Sequence, residues 1–301
     1  MNLDEAKAEL KQLLSRTEPT QIPKLLHWIR NSDQLDELLS DNRKVILQNI
    51  SEELRQHLPA EAMLPSETAA HAKMQQRSRP TVHVDSFLFD EDEVDARCEE
   101  GTMSRSFCLS CGSYRTAPLD FISHSFSISE LQFLFQNVLP DLSGRLLVDV
   151  GSRLGAVLYG GYLFSSASRL VGVEISEEFV KLQNDVVLKY NLSDRIQVLH
   201  SDIRLQNLLL QNADVLVMNN VFEFFMEPEQ QVGAWRFIME NFRKKGSLLV
   251  TVPGLQESLN ALQVALQPDG WVEELPVDCD VYVGRDSDPD ALRQIHLYRV
   301  V

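Results

Sequence analysis

The sequence predicts an α/β fold: a three-layer, doubly wound, mostly parallel seven-stranded sheet with an antiparallel edge strand, preceded by a helical N-terminal region. Three observations carry this. From residue 128 onward, short apolar runs rich in β-branched residues alternate with segments of helical period, the pattern of strands joined by helical crossovers. The run Leu146-Leu147-Val148-Asp149-Val150 leads straight into Gly151-Ser152-Arg153-Leu154-Gly155. There a buried strand turns sharply on a glycine and opens a helix. Finally, Trp271–Leu275 and Ile295–Val300 are apolar runs with no helical crossover between them, which suits an antiparallel edge.

The elements follow in order. Residues 1–58 read as helices, with Leu10, Leu13 and Leu14, then Ile22, Leu25, Leu26 and Ile29, recurring at helical spacing. The simplest account is the core of a small helical bundle; the sharper one is a lid that recognises a partner or substrate. Residues 59–97 read as a linker and acidic loop: polar from Pro59 to Pro80, then Asp90-Glu91-Asp92-Glu93 as a solvated stretch. Residues 98–127 form a cysteine-containing segment. Its Cys108-x-x-Cys111 knuckle, with Cys98 before it and His124 after it, offers four ligands of the type a tetrahedral zinc needs. Partly buried free thiols with no ligand role are the other reading.

The domain proper is read over residues 128–301. Ser127 and Glu130 spell a capping box ahead of an amphipathic helix carrying Leu131, Leu134, Phe135 and Val138. Strands are expected at 145–150, 170–174, 196–200, 214–219 and 247–252. Helices are expected at 154–166, 177–190, near 204–210, at 228–243 and near 255–266.

Composition narrows the function. The chain has 301 residues, 44% of them hydrophobic, enough for a core domain with an appendage. No apolar run approaches the roughly 20 residues that span a bilayer. The acidic N-terminus and the four cysteines, read without disulfides, lead us to expect an intracellular protein, cytoplasmic or nuclear. A net charge of −16 repels a phosphate backbone and disfavours nucleic acid.

Asp149-Val150-Gly151-Ser152-Arg153-Leu154-Gly155 resembles the first motif of class I S-adenosylmethionine-dependent methyltransferases, D-x-G-x-G-x-G, with arginine in place of the second glycine. Val171-Gly172-Val173-Glu174 resembles the next motif, Ser201-Asp202-Ile203 the third, and Val215–Phe222 the fourth. The resemblance implies an enzyme that uses S-adenosylmethionine to methylate a protein side chain or a small molecule. It implies that Glu174 takes the ribose hydroxyls and that Asp202 accepts from the adenine amine, with Ile203 against the ring. Ile175 would border the ribose. Asp149 would orient the turn or meet the methionine amine, and the amides of Gly151, Ser152, Arg153 and Gly155 would receive polar groups of the cofactor. Asn219 would touch both cofactor and acceptor, Asn220 would face the acceptor, and Glu223 would serve as general base. Arg153 is expected to begin the helix and project to solvent. A catalytically silent cofactor binder or scaffold is the alternative. A nicotinamide-dependent dehydrogenase ranks last, because an acid two places before the first glycine is foreign to its fingerprint.

Overall fold

The computed structural model describes residues 3–31, 33–65, 67–68, 81–110, 113–262, 268, 270–280 and 289–301. The chain divides into two compact units, residues 1–46 and 47–301.

The first unit holds α1 (Leu3–Arg16), α2 (Ile22–Asn31) and the start of α3 (Asp33–Arg55). Acids in the first turn of α1 and Arg16 in its last complement the helix dipole. The helices expected here form, and among the described residues Leu10, Leu13 and Leu26 are exposed rather than packed in a bundle core. Helical periodicity specifies an apolar face and leaves open what covers it. In the second unit the end of α3 buries Leu47, Ile50 and Leu54, spaced three and four apart on one face.

Next come β1 (Thr81–His83), α4 (Glu91–Glu99), β2 (Ser106–Cys108), β3 (Thr116–Pro118) and β4 (Asp120–Ile122). β1 pairs in parallel with β4, and β2 with β3 antiparallel. The acidic run read as a loop is instead a helix start. Asp90 caps α4 through a complete capping box with Glu93, and Glu91, Asp92 and Glu93 fill the first turn. Acids clustered there meet the positive end of the helix dipole, so the charge run nucleates a helix. A strand and a helix therefore occupy part of the stretch read as linker.

The expected capping box at Ser127 and Glu130 is present and opens α5 (Ile128–Phe133), which continues as a π turn over Leu134–Val138. Then follow β5 (Leu146–Val150), α6 (Ala156–Phe164), β6 (Arg169–Glu174), α7 (Glu177–Lys189) and β7 (Ile196–His200). A 3-10 turn at Ile203–Leu205 precedes α8 (Asn207–Asn212), β8 (Val215–Asn219), α9 (Pro228–Asn241) and β9 (Leu248–Val252). The chain closes with α10 (Leu255–Ala261), β10 (Val272–Leu275), α11 (Pro289–Arg293) and β11 (His296–Val300).

The seven strands lie in the order β10-β11-β9-β8-β5-β6-β7. β5 through β9 are mutually parallel, while β11 runs antiparallel between β9 and the edge strand β10. The doubly wound sheet is thus as expected, with the reversed strand one place in from the edge. Val148, Val150, Val171, Val173, Leu216 and Leu249 are buried along its central strands. Strands covered on both faces by helices require this uninterrupted apolar character. Trp271 is buried and donates its indole N–H to the Phe242 carbonyl at 2.8 Å, tying the edge to the core. Strand order reverses beside β5, between β6 and β8, so a crevice opens beyond their carboxyl ends.

Candidate active site

The turn after β5 is built on Gly151 at φ +67°, Arg153 at φ +40° and Gly155 at φ +82°. A β-carbon at Gly151 would meet Val221 at 3.2 Å, and one at Gly155 would meet the Tyr159 ring at 2.6 Å. Gly172 on β6 permits the turn to lie against the sheet, since a β-carbon there would fall 2.6 Å from the Ser152 hydroxyl. The turn's amides point inward. Gly151 N–H donates to the Val173 carbonyl at 2.8 Å and Gly155 N–H to the Ser152 carbonyl at 2.6 Å. Arg153 N–H donates to Glu174 Oε2 at 2.9 Å, and Ser152 N–H leans toward the Val173 carbonyl at 3.4 Å. The expected role of these four amides as donors to a ligand is therefore not what the fold arranges; most of them are taken up by β6 first. The amides of α6's first turn, by contrast, have no side-chain cap.

Arg153 does not project to solvent. Its guanidinium is buried and bidentate with Glu67, Nε to Oε1 at 3.0 Å and Nη2 to Oε2 at 3.0 Å. It also donates to the Ala62 carbonyl at 3.1 Å and to Asp85 Oδ2 at 3.3 Å, and lies 5.2 Å from the Phe179 ring centroid. A fixed fork of five donors needs this many acceptors once out of water, and they come from segments distant in sequence.

Three acids stand at the strand ends. Glu174 closes β6, is 4% exposed, and accepts from the Arg153 amide and from Ser176 N–H at 2.8 Å. Burial pushes its carboxyl above the usual range against those two hydrogen bonds. A carboxylate offers about four lone-pair sites, so two remain for a ligand. Asp149 is equally buried, and among the described residues no group donates to its carboxylate. Burial and the nearby Glu174 charge hold it well above the ordinary carboxylate range. Asp202 differs: it caps the 3-10 turn through Arg204 N–H at 2.8 Å and its carboxylate is forked by the Arg204 guanidinium, Nη2 to Oδ2 at 2.5 Å. Arg204 accordingly lowers the Asp202 pKa. Arg204 is a partner of this acid that motif resemblance does not supply, although an arginine two places after a capping acid is a readable signal.

Three cavities meet at the end of β8. One of about 380 Å³ is lined by Glu67, Gly151, Arg153, Glu174, Ile175, Asp202, Ile203 and the Asn219–Phe222 turn. A second of about 390 Å³ lies on the other side, walled by Phe89, Phe121, Phe126 and Phe224 with Glu91, Glu130 and Glu257. A small polar one of about 10 Å³ holds Asp149, Ser152 and His124. Asn219 borders all three, and Asn220 borders both large ones. Asn220 sits at φ +49° and its amide donates to the Ser123 carbonyl at 2.9 Å, which fixes the partition. The Ser152 hydroxyl is buried and has no hydrogen-bond partner among the described residues. Glu223 is turned elsewhere: it accepts from Ser258 Oγ at 2.7 Å and from Phe222 N–H at 3.2 Å, and lines neither large cavity. Phe222 packs edge-on against Trp235 in the core and also borders the 380 Å³ cavity with Phe225, while Phe224 reaches the other.

Among the described residues the expected zinc set is not assembled. Cys98 lies in the last turn of α4 and Cys108 is exposed on β2, while Cys111 falls outside the described residues. His124 is buried, with Nε2 2.8 Å from Nδ1 of His83 and its ring stacked on that partner at 5.0 Å. Among the described residues no three His, Cys, Asp or Glu side chains converge as a metal site requires. The His83–His124 pair, set against Phe224 and Phe225, has no sequence signal, since its members are 41 positions apart.

No family model matches the chain, and no curated protein matches it. Solved structures similar to it are S-adenosylmethionine-dependent methyltransferases, the class its motifs resemble. An RNA methyltransferase from Salinibacter ruber in complex with S-adenosyl-L-homocysteine is 15% identical, with a TM-score of 0.36, over 57% of this chain and 88% of its own. A SAM-dependent O-methyltransferase from Thermotoga maritima is 19% identical, with a TM-score of 0.39, over 52% of this chain and 56% of its own. An O-methyltransferase from Bacillus cereus in complex with SAH is 16% identical, with a TM-score of 0.38, over 60% and 84%. These likenesses are low, and the fold rests on the strand order and register described above. Among the described residues no helix is long and apolar enough to cross a membrane.

Proposed function

We propose that the chain is an S-adenosylmethionine-dependent methyltransferase acting on a protein side chain or a small molecule. The observation that carries this is the meeting of two cavities of about 380 and 390 Å³ at Asn219 and Asn220, beyond the carboxyl ends of β5, β6 and β8. A reaction between two bound molecules needs two compartments that touch at one point, and holding reactants in line is most of what methyl transfer asks of a protein. The cofactor supplies a methyl group already activated on a sulfonium. Glu174 would accept from the ribose hydroxyls with its free lone pairs. Asp149 and the Ser152 hydroxyl are buried and unmatched beside the turn, and a cationic amine would satisfy both. Ile203 would offer an apolar contact to the base. The adenine role of Asp202 requires Arg204 to yield or to share the carboxylate.

The inward-turned amides of Gly151, Arg153 and Gly155 weigh against a dinucleotide enzyme. A pyrophosphate needs donors at the glycine turn, and Gly151, Arg153 and Gly155 have already given theirs to the protein. Calorimetry with S-adenosylhomocysteine and with NAD tests the cofactor. Binding of the first and not the second is expected, and the reverse would overturn the proposal. Incubating the protein and a cell extract with methyl-labelled S-adenosylmethionine tests turnover. Label in a protein or small-molecule fraction is expected, and label in neither would leave a binder without catalysis.

A further inference from the structure

The arginine that stands where the motif has glycine is the feature the methyltransferase reading does not absorb. Its backbone sits at φ +40°, a left-handed conformation that strains a side-chain-bearing residue. Such strain persists only where surrounding contacts enforce it. Here those contacts are the bidentate pair with Glu67, the Ala62 carbonyl and Asp85. The Glu67 side chain is 14% exposed and lines the 380 Å³ cavity together with Glu174 and Ser176. The arginine does not enter the cavity as a bare cation; its charge is spent on holding a carboxylate there.

Resting on the S-adenosylmethionine reading, we propose that Arg153 makes Glu67 a cofactor-binding residue, supplied from the chain ahead of the sheet, that selects an unphosphorylated ribose. With Arg153 occupying one site on each of its oxygens, Glu67 keeps lone pairs that accept from a ribose hydroxyl. Paired with Glu174, it places two carboxylates around that hydroxyl, and a ribose phosphate there meets like charge on both sides. The glutamate is therefore a binding and specificity residue, and the arginine its positioning residue.

The test is titration calorimetry on the full chain with S-adenosylhomocysteine, and displacement by adenosine and by adenosine 2′-phosphate. Wild type is expected to bind S-adenosylhomocysteine and to prefer adenosine. Glu67→Ala should weaken S-adenosylhomocysteine about tenfold, the scale of one hydrogen bond to a charged group. Glu67→Gln, which keeps an acceptor and removes the charge, should retain most affinity and narrow the preference against the phosphate. Arg153→Met should match Glu67→Ala, and the double variant should lose no more than either alone, since both act through one carboxylate. Hydrogen exchange at the Glu67 and Thr68 amides, which bond to the Leu64 carbonyl at 3.0 Å, should quicken in Arg153→Met without any ligand. Wild-type affinity and preference in Glu67→Ala and Glu67→Gln would overturn the inference while leaving the methyltransferase reading intact. A folded wild type that binds no S-adenosylhomocysteine would overturn that reading, and this inference with it.

Discussion

Replacing Arg153 with glycine, the residue its motif position calls for, sets two effects of opposite sign against each other. The gain is conformational: glycine accepts φ +40° freely, which relieves about 1 kcal/mol. The loss is electrostatic. The Asp85 side chain is fully buried and the Glu67 side chain nearly so, and the variant strips both of their cation. Breaking a buried pair by removing one partner costs about 3–5 kcal/mol, because the other charge stays behind. Asp85 keeps its bonds from Ser125 Oγ at 2.7 Å and Phe87 N–H at 3.0 Å, which puts the loss toward the lower end. The balance is a destabilisation of about 2–4 kcal/mol, or roughly 5–15 °C in Tm for a unit of this size. Arg153→Ala, which keeps the strain, should fall about 1 kcal/mol lower still. Thermal and urea unfolding of the three proteins would measure this. A glycine variant as stable as wild type would refute the reasoning, because it would mean the strain outweighs the latch.

Four other outcomes are expected. Asp149→Asn should be more stable than wild type at pH 8, where the unfolded wild-type chain gains a charged, solvated carboxylate; because the native pKa is raised, the native state binds the proton more tightly than the unfolded chain, wild-type stability rises as pH falls, and the gap between the two proteins should narrow toward pH 5. A gap in unfolding free energy that is constant from pH 8 to pH 5 would count against a strained buried acid. Glu174→Ala should weaken S-adenosylhomocysteine by about ten- to a hundredfold in calorimetry, the worth of a charge-assisted bond; unchanged affinity would remove Glu174 from the ribose. Gly172→Ala should cost about 1–3 kcal/mol in urea unfolding, since its methyl would lie 2.6 Å from Ser152 Oγ and 2.8 Å from Leu158 Cδ1. Arg204→Ala should leave Tm within about 1 °C, because the pair it breaks is partly exposed, and should keep or raise S-adenosylhomocysteine affinity by freeing Asp202; a loss of affinity would show that the arginine itself holds ligand.

Much of this molecule is legible in the order of its amino acids. The strands β5, β6, β7, β8 and β9 fall where β-branched runs place them, because a strand covered on both faces must be apolar at every position. The Ser127–Glu130 box forms both its bonds, since capping is a contact between residues three apart. Gly151, Asp149, Glu174 and Asn219 arrive together at one crevice because each ends a strand or opens a turn of the same parallel sheet. Local chemistry and repeating pattern are enough for these, and for placing the cavity.

Other features depend on how distant segments pack. Arg153 reads as a solvent-facing helix start, yet its partners lie 86 and 68 positions upstream, where no periodicity connects them. The glycine-turn amides read as available to a ligand, but register delivers the Val173 carbonyl and the Glu174 carboxylate within reach first. His124 reads as a fourth metal ligand, whereas the β1–β4 pairing sets it against His83. Ion pairs and hydrogen bonds act through space over a few ångströms and are indifferent to separation along the chain. Local pattern alone therefore sets the sheet, its helices and the crevice at its switch point, and only folding selects which charges meet inside it.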